Sequence, residues 1–177
     1  MCVIIIKPRG AKMPTKREFL QAKIVNPHGF GFVSESMHYK STDFEDFYNH
    51  IKRVPKSENC IIHFRYATQG SVRIKNCHPF YCDGVWFAHN GCLPYAPKGD
   101  MTDSEFAFRN FLLPPIKENG IESHEAKEAI GNIIGWSKFA FMIDGEIYKF
   151  GQFVEYEGRY YSNMRHLYFA SRTAFAV

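Results

Sequence analysis

Short apolar runs bounded by turn residues recur along this chain and predict β-strands. The first run covers residues 2–7, and two more cover residues 59–66 and 84–89. The last of these is entered through Asp83-Gly84, a dipeptide that favours tight hairpin turns. After residue 138, two more dipeptides of this kind separate short β-like runs: Asp144-Gly145 and Glu157-Gly158. The C-terminal part is therefore predicted to be rich in hairpins.

Helical patterns lie between these runs. Thr42 with Glu45, and Thr102 with Glu105, match the capping box that opens helices. The first box precedes apolar residues at helical spacing: Phe44, Phe47, Tyr48 and Ile51. The second opens a helix that we expect the prolines at 114–115 to end. Helical patterns also cover residues 15–23 and 123–134. Strands and helices are thus mixed, which predicts an α+β fold of antiparallel sheets covered by helices.

The length and composition indicate one globular unit. A chain of 177 residues can bury one real core and is too short for two ordinary domains, so we expect residues 1–177 to form a single domain. Its hydrophobic fraction is 45%, and 17 Phe and 10 Tyr favour packed strands. No apolar run approaches the roughly 20 residues that cross a bilayer. We expect a soluble protein without a membrane partner, in the cytoplasm or, for a viral protein, the host cytoplasm.

Charge and cysteine content narrow the function classes further. The net charge of +4 owes much to cations near the start: Lys7, Arg9, Lys12, Lys16, Arg17 and Lys23. They lack the pattern of a base-reading module, so a solvated face is favoured over a nucleic-acid surface. Five cysteines without framework spacing fit free thiols in a reducing compartment.

Cys2 is the first candidate for chemistry. Removal of Met1 would place a thiol beside a free α-amine, whose pKa would be about 7.7 to 8.0. Such an amine can act as the general base for its own nucleophile. The alternative reading is a small apolar residue that opens a buried strand.

Four later motifs follow Cys2 in a fixed order. They are HFRYATQG at residues 63–70, NCHPF at 76–80, HNG at 89–91 and TDSE at 102–105. Together with Cys2 they resemble the glutaminase domain of class II glutamine amidotransferases. The resemblance spans roughly the first 105 residues. Residues 138–151 and 160–163 match only loosely, in the character of the second-sheet hairpins.

The resemblance implies a catalytic set. Cys2 would attack the side-chain carboxamide of glutamine, and the Asn90 side chain with the Gly91 N–H would hold the oxyanion. Glycine at position 91 also allows a close backbone approach. Losing one oxyanion donor typically costs about 10²- to 10³-fold in rate.

The resemblance also implies a substrate clamp. Arg65 would bind the α-carboxylate of glutamine through its planar fork, and Asp103 would bind the α-ammonium. Thr68 would shape the loop that holds Arg65 and also touch the substrate. The alternative readings are a salt bridge for Arg65 and a first-turn helix acid for Asp103.

Supporting roles are implied for several further residues. His63, His78 and His89 are read as buried supports, because the α-amine already supplies the base. Gly29 and Gly31 resemble the glycine turn near the nucleophile, although His28 stands where an acid is common. Tyr66 and Gln69 also depart from the frequent residues.

The fold implied is the four-layer αββα sandwich of N-terminal-nucleophile (Ntn) hydrolases, with two antiparallel sheets, in trimmed form. We expect no cofactor and no metal. A zinc site is the main competing constellation, but no C-x-x-C pair occurs among its candidate ligands: Cys60, His63, Cys77, His78, Cys82, His89 and Cys92.

Three functions stay open at this point. The first is hydrolysis of glutamine with ammonia released to a separate synthase, because no synthase domain is expected in this chain. The second is a catalytically silent module that binds glutamine or joins a complex. The third is an amidase for another small amide.

Overall fold

A computed structural model describes residues 2–68, 70–96 and 99–168. The strands are β1 (Val3–Lys7), β2 (Phe30–Ser34), β3 (His38–Ser41), β4 (Cys60–Phe64), β5 (Phe80–Cys82), β6 (Val85–Asn90), β7 (Lys138–Ile143), β8 (Glu146–Phe150), β9 (Val154–Tyr156) and β10 (Arg159–Tyr161). The helices are α1 (Lys16–Val25), α2 (Phe44–Ile51), α3 (Asp103–Ala107), α4 (Leu113–Asn119) and α5 (His124–Ile134). A 3-10 turn covers Ile74–Asn76, and a π-helical segment, Phe108–Leu112, joins α3 to α4.

The strands form two antiparallel sheets. One has six strands in the order β3-β2-β4-β1-β10-β9, and the other has four in the order β5-β6-β7-β8. β1 lies inside the larger sheet, with Val3 opposite Phe64 of β4 and Ile5 opposite Tyr161 of β10. Because β1 is paired on both edges, the residue that precedes it is held at a defined place.

Three apolar clusters separate the layers. α1 and α2 cover the outer face of the six-stranded sheet through residues such as Phe19 and Phe47. The helical run from α3 to α5 covers the outer face of the four-stranded sheet, where Phe108 stacks on Phe87. Between the sheets, Ile4 of one meets Ala88 of the other. The order of layers is therefore αββα, as expected.

Two expected helix boundaries are wrong. The prolines at 114–115 do not end the helical run, because they lie in the first turn of α4, where a backbone N–H needs no partner within the helix. The N-cap of α2 is Asp43 rather than Thr42, since its Oδ1 accepts the Asp46 N–H at 2.8 Å. The cap of α3 is Thr102, as predicted.

The C-terminal hairpins divide between the two sheets. β7 and β8 extend the four-stranded sheet, as the resemblance implied. β10, which includes Tyr160 and Tyr161 of the second loosely matching segment, instead pairs with β1 in the six-stranded sheet. The expectation of a second-sheet hairpin is therefore wrong for β10, because its partner is the first strand of the chain.

The basic N-terminal residues do not form one solvated face. Lys7 is fully buried, and its Nζ donates to the carbonyls of Lys56 and Glu58 at 2.7 and 2.6 Å. Arg9 bridges Glu35 and Glu146.

Among the described residues, no helix is both long and apolar enough to span a bilayer.

Candidate active site

The thiol of Cys2 lies where β1 meets the residues that follow β4. Its Sγ accepts a hydrogen bond from the Tyr66 N–H at 3.2 Å, and the Cys2 carbonyl accepts one from Asn163 Nδ2 at 2.8 Å. Burial raises the pKa of this thiol, while the Tyr66 N–H and the charge of Arg65 act against the rise. The thiol is therefore protonated at neutral pH and needs a base to become a nucleophile.

Arg65 leaves β4 beside this thiol. Its side chain is buried, and Nη1 donates to the carbonyl of Ser71 at 2.9 Å. Its backbone is held on both sides, because its N–H donates to Gly29 and its carbonyl accepts from His28. Arg65 lines the same cavity as Cys2, and so does the exposed Thr68.

His28 contributes a contact that the sequence did not reveal. Its Nδ1 accepts the Ala67 N–H at 2.9 Å, and its ring lies 5.1 Å from that of Tyr66. A ring nitrogen that accepts a hydrogen bond carries no proton, so Nδ1 is the acceptor nitrogen of this ring. The histidine in place of an acid thus fastens the segment that carries Arg65. Gln69 lies outside the described residues.

Asn90 is the last residue of β6, and Gly91 follows it directly. Gly91 lines the cavity, whereas the buried Asn90 does not; its Nδ2 donates to Ser162 Oγ at 2.8 Å. Gly91 has φ +155°, and a Cβ there would lie 2.1 Å from Ser137 Oγ. Only glycine fits this position without a shift of its neighbours.

Asp103 is the first residue of α3 and also lines the cavity. Its Oδ2 accepts the Leu93 N–H at 2.9 Å, and its Oδ1 accepts the Ser104 hydroxyl at 3.2 Å. These bonds fix the carboxylate at the start of the helix. Asp103, Arg65 and Cys2 therefore border one cavity.

Three histidines support this arrangement from within. His63 Nε2 donates to the His89 carbonyl at 3.1 Å, and His89 Nδ1 lies 2.7 Å from Ser104 Oγ. The ring of His78 lies 4.3 Å from that of His63. Burial lowers the pKa of His89 to about 4 and that of His63 to about 3, so both are neutral.

Gly29 and Gly31 permit a close backbone approach beneath the site. A Cβ on Gly29 would lie 2.3 Å from Cys77 Sγ, and one on Gly31 would lie 2.1 Å from the His78 carbonyl. The segment with Cys77 and His78 therefore crosses directly over β2. This contact explains the two glycines better than a turn alone.

The cavity at Cys2 is small, at about 30 Å³. Larger clefts of about 450 and 510 Å³ lie elsewhere, beside the Asp83-Gly84 turn and between the edge strands β3 and β5. Neither contains a candidate nucleophile with its oxyanion donors.

Within the three described ranges, no group of His, Cys, Asp or Glu side chains is arranged to hold a metal ion.

Comparison with known proteins provides a further line of evidence about the family. The sequence model for class II glutamine amidotransferases matches residues 41–138, more than half of the chain. The chain belongs to the class II glutamine amidotransferase family.

Two relatives agree with this membership. A curated Haemophilus influenzae protein, whose name assigns it provisionally as a glutamine amidotransferase, is 53% identical over 64 residues, covering 33% of this chain and 19% of that protein. The solved structure of glutamine phosphoribosylpyrophosphate amidotransferase from B. subtilis superposes with a TM-score of 0.58 at 17% identity. That likeness covers 94% of this chain and 43% of the B. subtilis chain, and it confirms the αββα sandwich fold. The chain thus spans less than half the length of either relative.

The motifs in the sequence predicted Cys2, Arg65, Gly91 and Asp103 as site residues. These four residues line one cavity. Sequence reasoning missed His28, Ser162 and Asn163 as contacts of the site. A weak signal existed for the last two, because residues 160–163 carry part of the resemblance. Their role depends on strand pairing, which the motif alone does not reveal.

Proposed function

We propose that this chain is a glutamine amidohydrolase that hydrolyses the side-chain amide of glutamine through a Cys2 thioester and releases ammonia. The observation that carries the proposal is the meeting of Cys2, Arg65, Gly91 and Asp103 around one cavity. A nucleophile, a cation, an oxyanion donor and an anion are the groups that this reaction needs. Membership in the class II family supports the same chemistry.

The nucleophile requires maturation. Because burial raises the pKa of the Cys2 thiol, a base must take its proton. Removal of Met1 frees the α-amine of Cys2 on the same residue, and an α-amine has a pKa of about 7.7 to 8.0. Intact-mass measurement on protein from cells tests this step, and a mass that retains Met1 would contradict it.

The reaction then proceeds in two steps. The α-amine takes the thiol proton, sulfur bonds to the carboxamide carbon, and the tetrahedral oxyanion accepts hydrogen bonds from Asn90 and the Gly91 N–H. As the carbon–nitrogen bond breaks, the α-ammonium returns the proton to the leaving ammonia. Water, activated by the same amine, hydrolyses the thioester to glutamate.

Arg65 and Asp103 recognise the charged groups of the substrate. Arg65 binds the α-carboxylate, Asp103 the α-ammonium, and Thr68 contacts the substrate at the rim. A cavity of about 30 Å³ is far below the roughly 300–1,000 Å³ of ordinary ligand sites. This volume is that of the chain before Met1 is removed, and we infer that maturation and substrate binding together enlarge the cavity.

The wider setting is also proposed. We infer that residues 1–177 form one amidotransferase domain, and that a separate synthase in the cytoplasm accepts the ammonia. Pull-down with the mature chain, followed by an ammonia-transfer assay with the captured protein, tests this partner.

Replacing the nucleophile tests the proposed chemistry. Cys2→Ala should abolish ammonia release from glutamine, because no thioester can form, and should leave the thermal midpoint near that of wild type. Cys92→Ala is the matched control, since Cys92 is an exposed free thiol. The assay is ammonia release by mature protein, with asparagine beside glutamine. Undiminished activity in Cys2→Ala would overturn the mechanism.

A second candidate is an amidase for a smaller amide, which the small cavity favours. It predicts little dependence on the α-charges of the substrate. Glutamine analogues that lack either charge separate the two, because Arg65 and Asp103 discriminate strongly only if glutamine is the substrate.

A further inference from the structure

Ser162, directly after β10, joins two elements of the candidate site. Its buried Oγ accepts the Ile4 N–H at 2.8 Å and lies 2.8 Å from Asn90 Nδ2. Its own N–H donates to the Ile4 carbonyl at 2.9 Å. One hydroxyl therefore touches the strand that carries the nucleophile and the amide assigned to the oxyanion.

The next residue strengthens this connection. Asn163 Nδ2 donates to the Cys2 carbonyl at 2.8 Å. Two consecutive residues thus hold the backbone of Cys2 and Ile4, and one of them also holds the Asn90 side chain. The relative position of thiol and carboxamide depends on this short segment.

The hydrogen bonding of Asn90 is incomplete as it stands. Its buried Oδ1 has no partner among the described residues, although buried polar atoms are nearly always bonded. A hydroxyl can donate as well as accept, so it can bind either end of an amide. If the amide is turned, the Ser162 hydroxyl donates to Oδ1 and still accepts from Ile4. Nδ2 then occupies the place of the present Oδ1 and has a free N–H.

We propose that Ser162 is a positioning residue that holds the Asn90 carboxamide with its N–H groups directed at the oxyanion. The inference rests on the proposed function, because it concerns the donor for that reaction. Ser162 acts through Asn90 and does not touch the substrate. Its effect should therefore fall on the rate of the chemical step, with substrate binding nearly unchanged.

The test is a double-mutant cycle on ammonia release from glutamine. Ser162→Ala should lower kcat about tenfold, short of the 10²- to 10³-fold expected for a removed donor, with KM within about twofold. In an Asn90→Ala background the same change should lower kcat by less than about twofold, because the group that Ser162 orients is gone. Equal losses in both backgrounds would overturn the proposal.

Controls separate positioning from folding. Ser162→Thr keeps the hydroxyl and should restore most of kcat. Ser162→Cys keeps the size but donates weakly, so it should lose activity even if Ser162→Ala fails to fold. Wild-type kcat in a folded Ser162→Cys variant would contradict the proposal. Tyr160→Phe removes a neighbouring hydroxyl on β10 and should leave kcat unchanged.

The two levels of inference fail differently. A mature wild-type chain that releases no ammonia from glutamine would overturn the proposed function and, with it, the role of Ser162. An active wild type whose Asn90 and Ser162 losses are independent would overturn only the role of Ser162.

Discussion

At the scale of single residues, the site depends on a few positions where a side chain is excluded. Gly91 is the sharpest case, because Ser137 occupies the space that its Cβ would take. The Ser137 backbone is also closely packed, since Gly151 approaches its carbonyl so nearly that a Cβ on Gly151 would lie 2.6 Å from it. The added Cβ on Gly91 would also lie 2.7 Å from the Ser137 Cβ, so rotation of the Ser137 hydroxyl alone does not relieve the contact.

The first residue-scale prediction concerns this contact. Gly91→Ala should lower the free energy of unfolding by about 1–3 kcal/mol, the usual cost of overpacking, and should also reduce ammonia release by displacing the N–H that we propose as an oxyanion donor. Urea unfolding and the ammonia assay measure the two effects.

A matched glycine provides the control. Gly131 lies inside α5, and a Cβ there meets nothing within 4 Å. Gly131→Ala should raise stability by about 0.5–1 kcal/mol, because alanine favours the helix. A Gly91→Ala variant as stable as Gly131→Ala would show that the contact with Ser137 does not constrain the site.

At the scale of elements, local signals predicted strands and caps well where only neighbouring residues matter. Thr102 caps α3 because its hydroxyl accepts the Glu105 N–H three residues later. The prolines at 114–115 led to a wrong prediction that the helix ends before them. They are accommodated because α4 begins a new first turn directly after the π-helical segment, Phe108–Leu112. Such a change of helix type leaves no pattern that the sequence analysis could use.

A second prediction concerns the segment after β4, which includes Arg65 and Ala67. His28 holds this segment at Ala67, so His28→Ala should leave a backbone N–H unpaired and loosen Arg65. Because Arg65 is proposed to bind the α-carboxylate, KM for glutamine should rise about tenfold, equivalent to about 1.4 kcal/mol, while kcat changes less. Steady-state kinetics of ammonia release measure both constants.

His28→Asn and His124→Ala complete this test. Asparagine keeps an acceptor at position 28 and should recover part of the affinity, whereas His124 is exposed on α5 and should have no effect. A fall in kcat with KM unchanged would show that His28 acts on the nucleophile rather than on the clamp.

At the scale of the whole molecule, strand pairing brings together residues that no local pattern relates. Ile4 and Ser162 are 158 positions apart, and Asn90 and Ser162 are 72 apart. The ordered motifs predicted a set of candidate site residues, because each motif lies within a few positions of the chain, and several of these residues do line one cavity. They did not predict β10 as the partner of β1, and without that pairing the contact of Ser162 with Asn90 is invisible.

The buried histidines make the stability of the whole fold depend on pH. Burial lowers the pKa of His63 to about 3, that of His89 to about 4, and that of His78 well below its ordinary value. In the unfolded chain each has a pKa of about 6.5. Between about pH 6.5 and 4 the unfolded chain therefore binds protons that the folded chain does not. The stabilisation is complete above about pH 6.5 and is lost as the pH falls.

Each of these histidines should add a slope of about 1.4 kcal/mol per pH unit to the free energy of unfolding in that window. His78→Phe removes one of them, and the new ring would pack against the rings of Phe80 and His63, which lie 4.4 and 4.3 Å from His78. Urea unfolding at pH 7, 6 and 5 should show a shallower slope for this variant, whereas His124→Gln, with a side chain 88% exposed, should match wild type. An unchanged slope in His78→Phe would contradict the prediction, because it would mean that folding does not shift the pKa of this ring.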